Sequence, residues 1–316
     1  MAELILHLPG IERSAASRLP ENLTDALRKA RYAEHGSARA LESILGCGQI
    51  PAPAPLSALG SGIDADSRYW LRFDVVRMIP DLTAVWIDRP LRFDFDAPAY
   101  AVLGRELSEL LRSEGLSELV HFSDGFGLVG LPAESGCRFT DLEAAQGGRL
   151  DEHLPKGRDA ARWQRLITAS QMLFHRYRAL DRADQTGAGL WFWGEGAVDR
   201  SPPEAPKLDV IDAFGSAAQR GLASWLGANL QSGRPNRDDR WPERTLVSLP
   251  LEQADPGDGL RVLLEDWFQP AMSALREGRL RQLTVVGSRG VWRIGRMQRV
   301  AFWRRRIRGL QEGDGR

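Results

Sequence analysis

Past Leu208 the chain alternates strand-like and helix-like segments. LDVI is followed by a helical stretch from about Phe214 to Trp225, then TLVSL, a second helical stretch from about Leu260 to Leu275, and the pair LRQLTVVG and GVWRIG. Apolar runs separated by segments long enough to hold a helix pair in parallel, because a parallel neighbour can be reached only through a crossover of that length. The amino terminus repeats the theme. After a strand from Leu4 to Leu8, the stretch LPENLTDALRKARYAEHG places Leu23, Ala26, Leu27 and Ala30 at helical spacing, with Asn22 as N-cap and Gly36 past the end. The expected fold class is therefore α/β, a mostly parallel sheet with helices on both faces.

The middle of the chain has a different rhythm. CGQIPAPAPLSALGSG, from Cys47 to Gly62, is dense in Pro, Gly and Ala and reads as a linker. Between Tyr69 and Leu131, YWLRFDVVRM, LTAVWIDRPL, ELVHF and GLVGL read as strands. AYAVLGRELSELLRSEG reads as a helix with Tyr100, Leu103, Leu107 and Leu110 on one face. A small inserted α+β subdomain follows, giving an expected organisation of 1–62 (first part of the core and linker), 63–135 (insertion) and 136–316 (remainder of the core). GCRFTDLEAAQGGRLDEHLPKG lacks periodicity and is expected to be a surface loop. Next comes a long amphipathic helix capped by Asp159, carrying Trp163, Leu166, Ile167, Ser170, Phe174 and Tyr177 on one face, and it leads into GLWFWGEG at Gly189–Gly196. By the two-residue period of a strand, Trp191 and Trp193 share one face and Phe192 takes the other, which suits a strand buried on both sides. WGEG could cradle a phosphate, but it does not open into a helix as the P-loop and dinucleotide fingerprints do.

Composition limits the function classes. With 316 residues, 43% hydrophobic and 27% charged, the chain can bury a sizeable core. No run reaches the roughly 20 apolar residues of a membrane span. The first residues carry Glu3 and no basic region, so they read as a strand and not as a signal peptide, and a cytoplasmic location is expected. Cys47 and Cys137 are too few and too far apart for a disulfide framework or a thiolate metal site. The formal charge is zero, yet Arg276 to Arg308 holds eleven arginines against one glutamate. These read as solvated faces of edge strands and a terminal arm, with a basic patch at Arg304, Arg305 and Arg306 as the alternative footprint of a nucleic acid or an acidic partner.

In order along the chain, LHLPGI, LPENLTDALRKARYAEHG, YWLRFDVVRM, HLPKGRDAARWQRLITASQMLFH, LWFWGEG, and DWFQPAMSALREGRLRQLTVVGSRGVWRI with FWRRR resemble the archaeal-type cofactor-independent phosphoglycerate mutases of the alkaline phosphatase superfamily. They resemble more closely a proteobacterial group filed beside them, known from xanthomonads and sometimes labelled a regulatory protein. The resemblance implies an alkaline phosphatase-like core sheet with a small inserted domain. It also implies phosphoryl transfer from a serine or threonine nucleophile held by two divalent metals on Asp and His ligands, which polarise the phosphoryl group and activate the nucleophile.

The residues depart from that pattern. Where the resemblance expects an aspartate followed by glycine, LHLPGI has Pro9 followed by Gly10. Nucleophile candidates reduce to Ser57 and Ser61, beside Asp64 and Asp66, in a segment where serine reads as a turn residue. The histidines are His7, His35, His121, His153 and His175, so no imidazole follows His175. His7 is expected to be a hydrogen-bonded core histidine and His175 a surface residue. Asp209 and Asp212 form the best late carboxylate pair, with Asp212 as helix N-cap the alternative reading. His153 and Lys156 could face an anionic ligand, and Glu195 is the residue of GLWFWGEG most worth testing. The leading expectation is a catalytically inactive phosphoglycerate mutase-like protein with a binding or regulatory role. It would have no cofactor, and its partner would be a protein or a small phosphorylated ligand. The alternatives are a metal-dependent phosphoglycerate mutase or phosphatase with relocated Mn or Mg ligands and, more weakly, nucleic-acid or acidic-partner binding through the Arg-rich end.

Overall fold

The computed structural model describes residues 2–9, 11, 19–34, 37–65, 68–91, 101–116, 120–123, 125–177, 187–198, 207–213, 215–232, 241–249, 261–288 and 290–295. Arg304, Arg305, Arg306 and Asp66 lie outside the described residues. The chain divides into two compact units, one formed by Met1–Ile50 with Ser201–Arg316 and the other by Pro51–Arg200.

The first unit begins with β1 (Ala2–His7), α1 (Glu21–Lys29), β2 (Arg31–Glu34) and α2 (Ser37–Leu45). The helix expected to run on toward Gly36 stops at Lys29, because Arg31–Glu34 pair antiparallel with a strand from the far end of the chain. Tertiary pairing overrides local helical spacing there. Pro20, not Asn22, takes the N-cap position, and the Asn22 side chain accepts from the neighbouring Leu23 N–H.

The second unit opens on α3 (Pro53–Gly60), which replaces the expected linker. Proline at the start of a helix is favourable, since its missing N–H falls among those with no partner anyway. An antiparallel sheet follows from β3 (Tyr69–Pro80), β4 (Val85–Pro90), β5 (Val120–Ser123) and β6 (Phe126–Leu131), with α4 (Ala101–Ser113) before β5. The expected surface loop contains β7 (Cys137–Arg138), the single turns α5 (Leu142–Ala145) and α6 (Leu150–His153), and β8 (Lys156–Gly157). Elements this short carry no readable period. After α7 (Ala160–Arg176), β9 (Ala188–Gly196) pairs antiparallel with β3 from Trp70 to Arg77. GLWFWGEG thus belongs to the second unit and not to the core sheet, and this unit spans Pro51–Arg200 instead of 63–135. Apolar alternation reports burial but does not name the pairing partner.

The chain returns to the first unit with β10 (Asp209–Asp212), α8 (Ala217–Leu226), β11 (Asn229–Ser232), β12 (Arg244–Ser248), a π turn at Leu263–Phe268, α9 (Gln269–Glu277), β13 (Leu280–Val286) and β14 (Gly290–Gly295). The π turn sits just ahead of Pro270, which has no N–H for the helical ladder and whose ring crowds the carbonyl four residues back. The seven strands lie in the order β11-β10-β12-β1-β13-β14-β2. The five from β11 to β13 are parallel, while β14 is antiparallel to both β13 and β2. The sheet is mostly parallel, in an α/β unit, as expected. β13 and β14, which carry one arginine each (Arg281 and Arg293), are interior to it, so these two arginines do not lie on edge strands.

One face of this sheet, with Leu4, Leu6, Leu283 and Trp292, packs on α1, the π turn and α9. The other carries Ile5, Val210 and Leu246, which are neighbours in the register. A polar cluster sits on that second face. Glu3 accepts from Gln282 Nε2 at 2.9 Å and Thr284 Oγ1 at 3.1 Å, and lies 3.4 Å from Arg244 Nε. Arg244 in turn donates to the Ile44 and Leu45 carbonyls at the end of α2, groups a helix leaves without partners.

Candidate functional site

In a parallel sheet, ligands collect beyond the carboxyl ends of the strands, where neighbouring strands send their connections to opposite faces. Here β10 leads into α8, whose buried residues stand apart from the Leu4 and Leu6 core, whereas β12 leads into the π turn and α9 within that core. The switch point therefore lies between β10 and β12. Register places His7 opposite Ser248, and the two-residue period puts both on the face of Ile5 and Leu246. Asp212, two residues beyond Val210, shares that face, so the ends of β10, β12 and β1 present Asp212, Ser248 and His7 in a row.

Each member of the row is engaged within the unit. His7 Nδ1 and Ser248 Oγ form a hydrogen bond of 3.0 Å. The His7 residue keeps some exposed surface, but its ring is enclosed, and that burial lowers its pKa to about 4. A ring so weakly basic is neutral at pH 7 and a poor acceptor for the serine proton. The pair accordingly ties two strand ends together and does not prepare a nucleophile. Asp212 Oδ1 accepts the Ser216 N–H at 2.7 Å, and Oδ2 lies 3.2 Å from Arg220 Nη1. Helix α8 starts at Ala217, with Ser216 at the N-cap position, so Asp212 is not the residue expected to cap a helix near Phe214. Its carboxylate nevertheless fills the positive end of that helix. Gln219 donates to the Ser248 carbonyl at 2.5 Å. Pro9 follows directly, after Leu8 N–H binds the Val286 carbonyl at 2.7 Å.

The other expected site residues are dispersed. Asp209 and Asp212 are three apart on one strand, hence on opposite faces and about 10 Å from each other along it. Asp209 accepts from Asn229 Nδ2 at 2.8 Å at the start of β10 and is no partner for Asp212 in a metal site. Three expected residues fall in the second unit. His153 ends α6 against Gly148, and its carbonyl accepts from Thr140 Oγ1 at 3.1 Å. Lys156 is exposed on β8 and donates to the Glu152 carbonyl at 3.3 Å. Glu195 receives both the N–H and the hydroxyl of Ser135, each at 2.6 Å, and burial raises its pKa against those two bonds. It clamps a loop. Gly194, at φ 71°, supplies the extra residue of a β-bulge where the β3–β9 register shifts, which explains WGEG without a phosphate.

Ser57, expected in a turn, is fully buried in α3 and belongs to a network the sequence did not announce. Arg72 meets Asp74 through two bonds of 2.8 and 2.7 Å and donates to Ser57 Oγ at 3.2 Å. Trp193 Nε1 donates to Asp74 Oδ2 at 2.6 Å, and the Arg72 guanidinium lies 4.1 Å from the centre of the Phe126 ring. Every charge in the network is matched. It is a structural core of the second unit. Ser61 ends α3, His7 is the hydrogen-bonded histidine expected, and His175 is exposed as expected.

Among the described residues the strand ends hold their polar side chains in internal bonds: the Pro9 side chain has no ligand atom, His7 Nδ1 is bound to Ser248, and each Asp212 oxygen has a partner. Among the described residues no three His, Cys, Asp or Glu side chains converge in a metal-binding group. No helix among them is long and apolar enough to cross a membrane. Sequence reasoning missed Ser248, Gln219 and Arg220, since only the strand register brings them beside His7 and Asp212.

No protein-family model matches the chain. It is distantly similar to a probable 2,3-bisphosphoglycerate-independent phosphoglycerate mutase of Geobacter sulfurreducens, 24% identical over 189 residues that cover 56% of this chain and 46% of the relative. The chain thus spans about half the length of the curated relative it matches. Among solved structures, the PH0037 protein of Pyrococcus horikoshii aligns with a TM-score of 0.46 and 13% identity, covering 93% of this chain and 87% of that one. The cofactor-independent phosphoglycerate mutase of Thermoplasma acidophilum aligns with a TM-score of 0.38 and 14% identity, covering 93% and 89%.

Proposed function

We propose that this chain is a phosphoglycerate mutase-like protein that acts by binding, in a scaffolding or regulatory role, and does not carry out metal-dependent phosphoryl transfer. The observation that carries the reading is the row at the strand ends beside Pro9, where His7 and Ser248 bond each other and Asp212 is held by Ser216 and Arg220. Two divalent cations require several free carboxylates and imidazoles, and here the polar groups of the switch point spend their capacity on the fold. The binding partner is a protein or a small phosphorylated ligand.

The test is elemental analysis of the purified protein together with mutase and phosphatase assays in added manganese. The reading expects no stoichiometric metal and no turnover above the buffer rate. The distant similarity to a probable mutase favours the rival, a metal-dependent phosphoglycerate mutase or phosphatase with relocated ligands. Tightly bound metal with manganese-dependent turnover would establish that rival.

A further inference from the structure

The hairpin of β3 and β4 in the second unit is apolar on both faces. Met78 and Ile87 stand directly opposite each other and are buried in the core of the unit. Ile79 and Trp86, the next pair in the register, point the other way by the two-residue period and remain 41% and 38% exposed. An antiparallel sheet with one wet face places polar side chains there, so an outward Ile and Trp pair is not explained by the fold of the unit.

The turn extends the same surface. Leu82, at its tip, is fully exposed. The turn that holds it out is well bonded. Asp81 Oδ1 accepts from the Thr83 and Ala84 N–H groups at 2.7 and 2.8 Å, and the Asp81 N–H donates to the Ala84 carbonyl at 2.8 Å. Trp86 Nε1 donates to Asp81 Oδ2 at 2.6 Å, which lays the indole beside the turn. Of the six large apolar side chains exposed among the described residues, Ile79, Leu82 and Trp86 are three, gathered on this one hairpin. Single exposed apolar residues need no explanation, whereas a concentrated group marks a contact surface.

What covers it follows from its surroundings. The outer edge of β4 is closed, since the Ile87 N–H donates to the Gly148 carbonyl at 3.0 Å and the Ile87 carbonyl accepts from Gly147 at 2.7 Å. The occupant therefore meets side chains and does not add a strand. The charges around the apolar residues are mixed. Asp81 is held to a pKa of about 2, chiefly by its bonds from Thr83 and Trp86. Arg149, bridged to Trp86, pairs with Asp151 and Glu152, while Asp88 lies 3.8 Å from Arg77 and 3.9 Å from Arg89. Four carboxylates thus stand against three guanidiniums. That balance repels an anionic lipid surface, and the Trp86 N–H, bound to Asp81, is not offered to headgroups. A surface with both signs complements its own copy, because a two-fold rotation sets the cations of one over the anions of the other.

We propose that this face joins two copies of the chain in an isologous dimer, Leu82 of each packing against Ile79 and Trp86 of the other. The surface is independent of the function proposed for the strand ends.

The experiment is sedimentation velocity of the full chain between about 1 and about 200 μM, the range in which an interface below the standard size dissociates. A reversible equilibrium between monomer and dimer is expected. Leu82→Asp should weaken the dimer at least about tenfold, since the two-fold axis applies the loss twice. It should leave the thermal midpoint unchanged, because Leu82 is fully exposed. Ile79→Thr, which keeps a strand-forming side chain, should weaken the dimer in the same direction. Met172→Asp, at an exposed position on α7, should leave it unchanged. A monomer at every concentration, a dimer indifferent to Leu82→Asp, or equal weakening by Met172→Asp would each overturn the proposal. So would binding to phosphatidylglycerol vesicles that is lost in Leu82→Asp, which would assign the face to a membrane.

Discussion

His7 refuses a proton until about pH 4, because its enclosed ring loses more hydration on charging than the Ser248 bond returns. The unfolded chain takes up that proton near pH 6.5. The His7 contribution to stability is thus fully present above pH 6.5 and is lost as the pH falls from there toward 4, with a slope of up to about 1.4 kcal/mol per unit. Urea midpoints for the protein and His7→Gln should converge across that window, and parallel curves would refute the assignment. In the second unit, removing one partner of the buried Arg72–Asp74 pair leaves an uncompensated charge. Asp74→Ala should cost about 3–5 kcal/mol, and Trp193→Phe, which deletes one hydrogen bond, about 1–2 kcal/mol, both read from urea unfolding. Pro9 and the missing late histidines were legible in the sequence because they are matters of composition. Ser248 beside His7 was not, since that adjacency joins residues 241 positions apart through strand register.

Among elements, α7 and the burial of β9 were legible because long, strongly periodic segments carry their own signal. Trp191 and Trp193 do share a face, the one binding the Thr140 carbonyl and the other Asp74, while Phe192 packs on Phe73 and Trp163. What eluded the sequence was partnership. β2 was hidden inside a helical pattern because its stability comes from β14, and α3 inside a proline-rich stretch because its buried face has to match β3 and β9. Entry into β9 depends on Gly187, which holds φ at 101° where an added Cβ would overlap the Met78 carbonyl of β3. Gly187→Ala should destabilise the protein by about 1–3 kcal/mol, whereas Gly125→Ala, at a turn with open space, should show only the smaller backbone cost. Equal losses at both positions would count against the close approach of the two strands.

For the whole molecule, the α/β class followed from alternation, but the division of the chain did not. The second unit takes Pro51–Arg200 because β9 closes a sheet begun by β3, more than a hundred residues earlier in the chain. The first unit has a parallel sheet with a switch point, the place where such a fold usually binds its ligand, and among the described residues the His7, Ser248 and Asp212 side chains there are bonded within the unit. Whether that crevice takes metal is the central question about the molecule. Titrating isotopically labelled protein with Mn2+ and following paramagnetic broadening at His7, Ser248 and Asp212 answers it at those atoms. No saturable broadening at the strand ends is expected at stoichiometric manganese; selective loss of those signals at one or two equivalents, with turnover of phosphoglycerate, would contradict a binding role without metal.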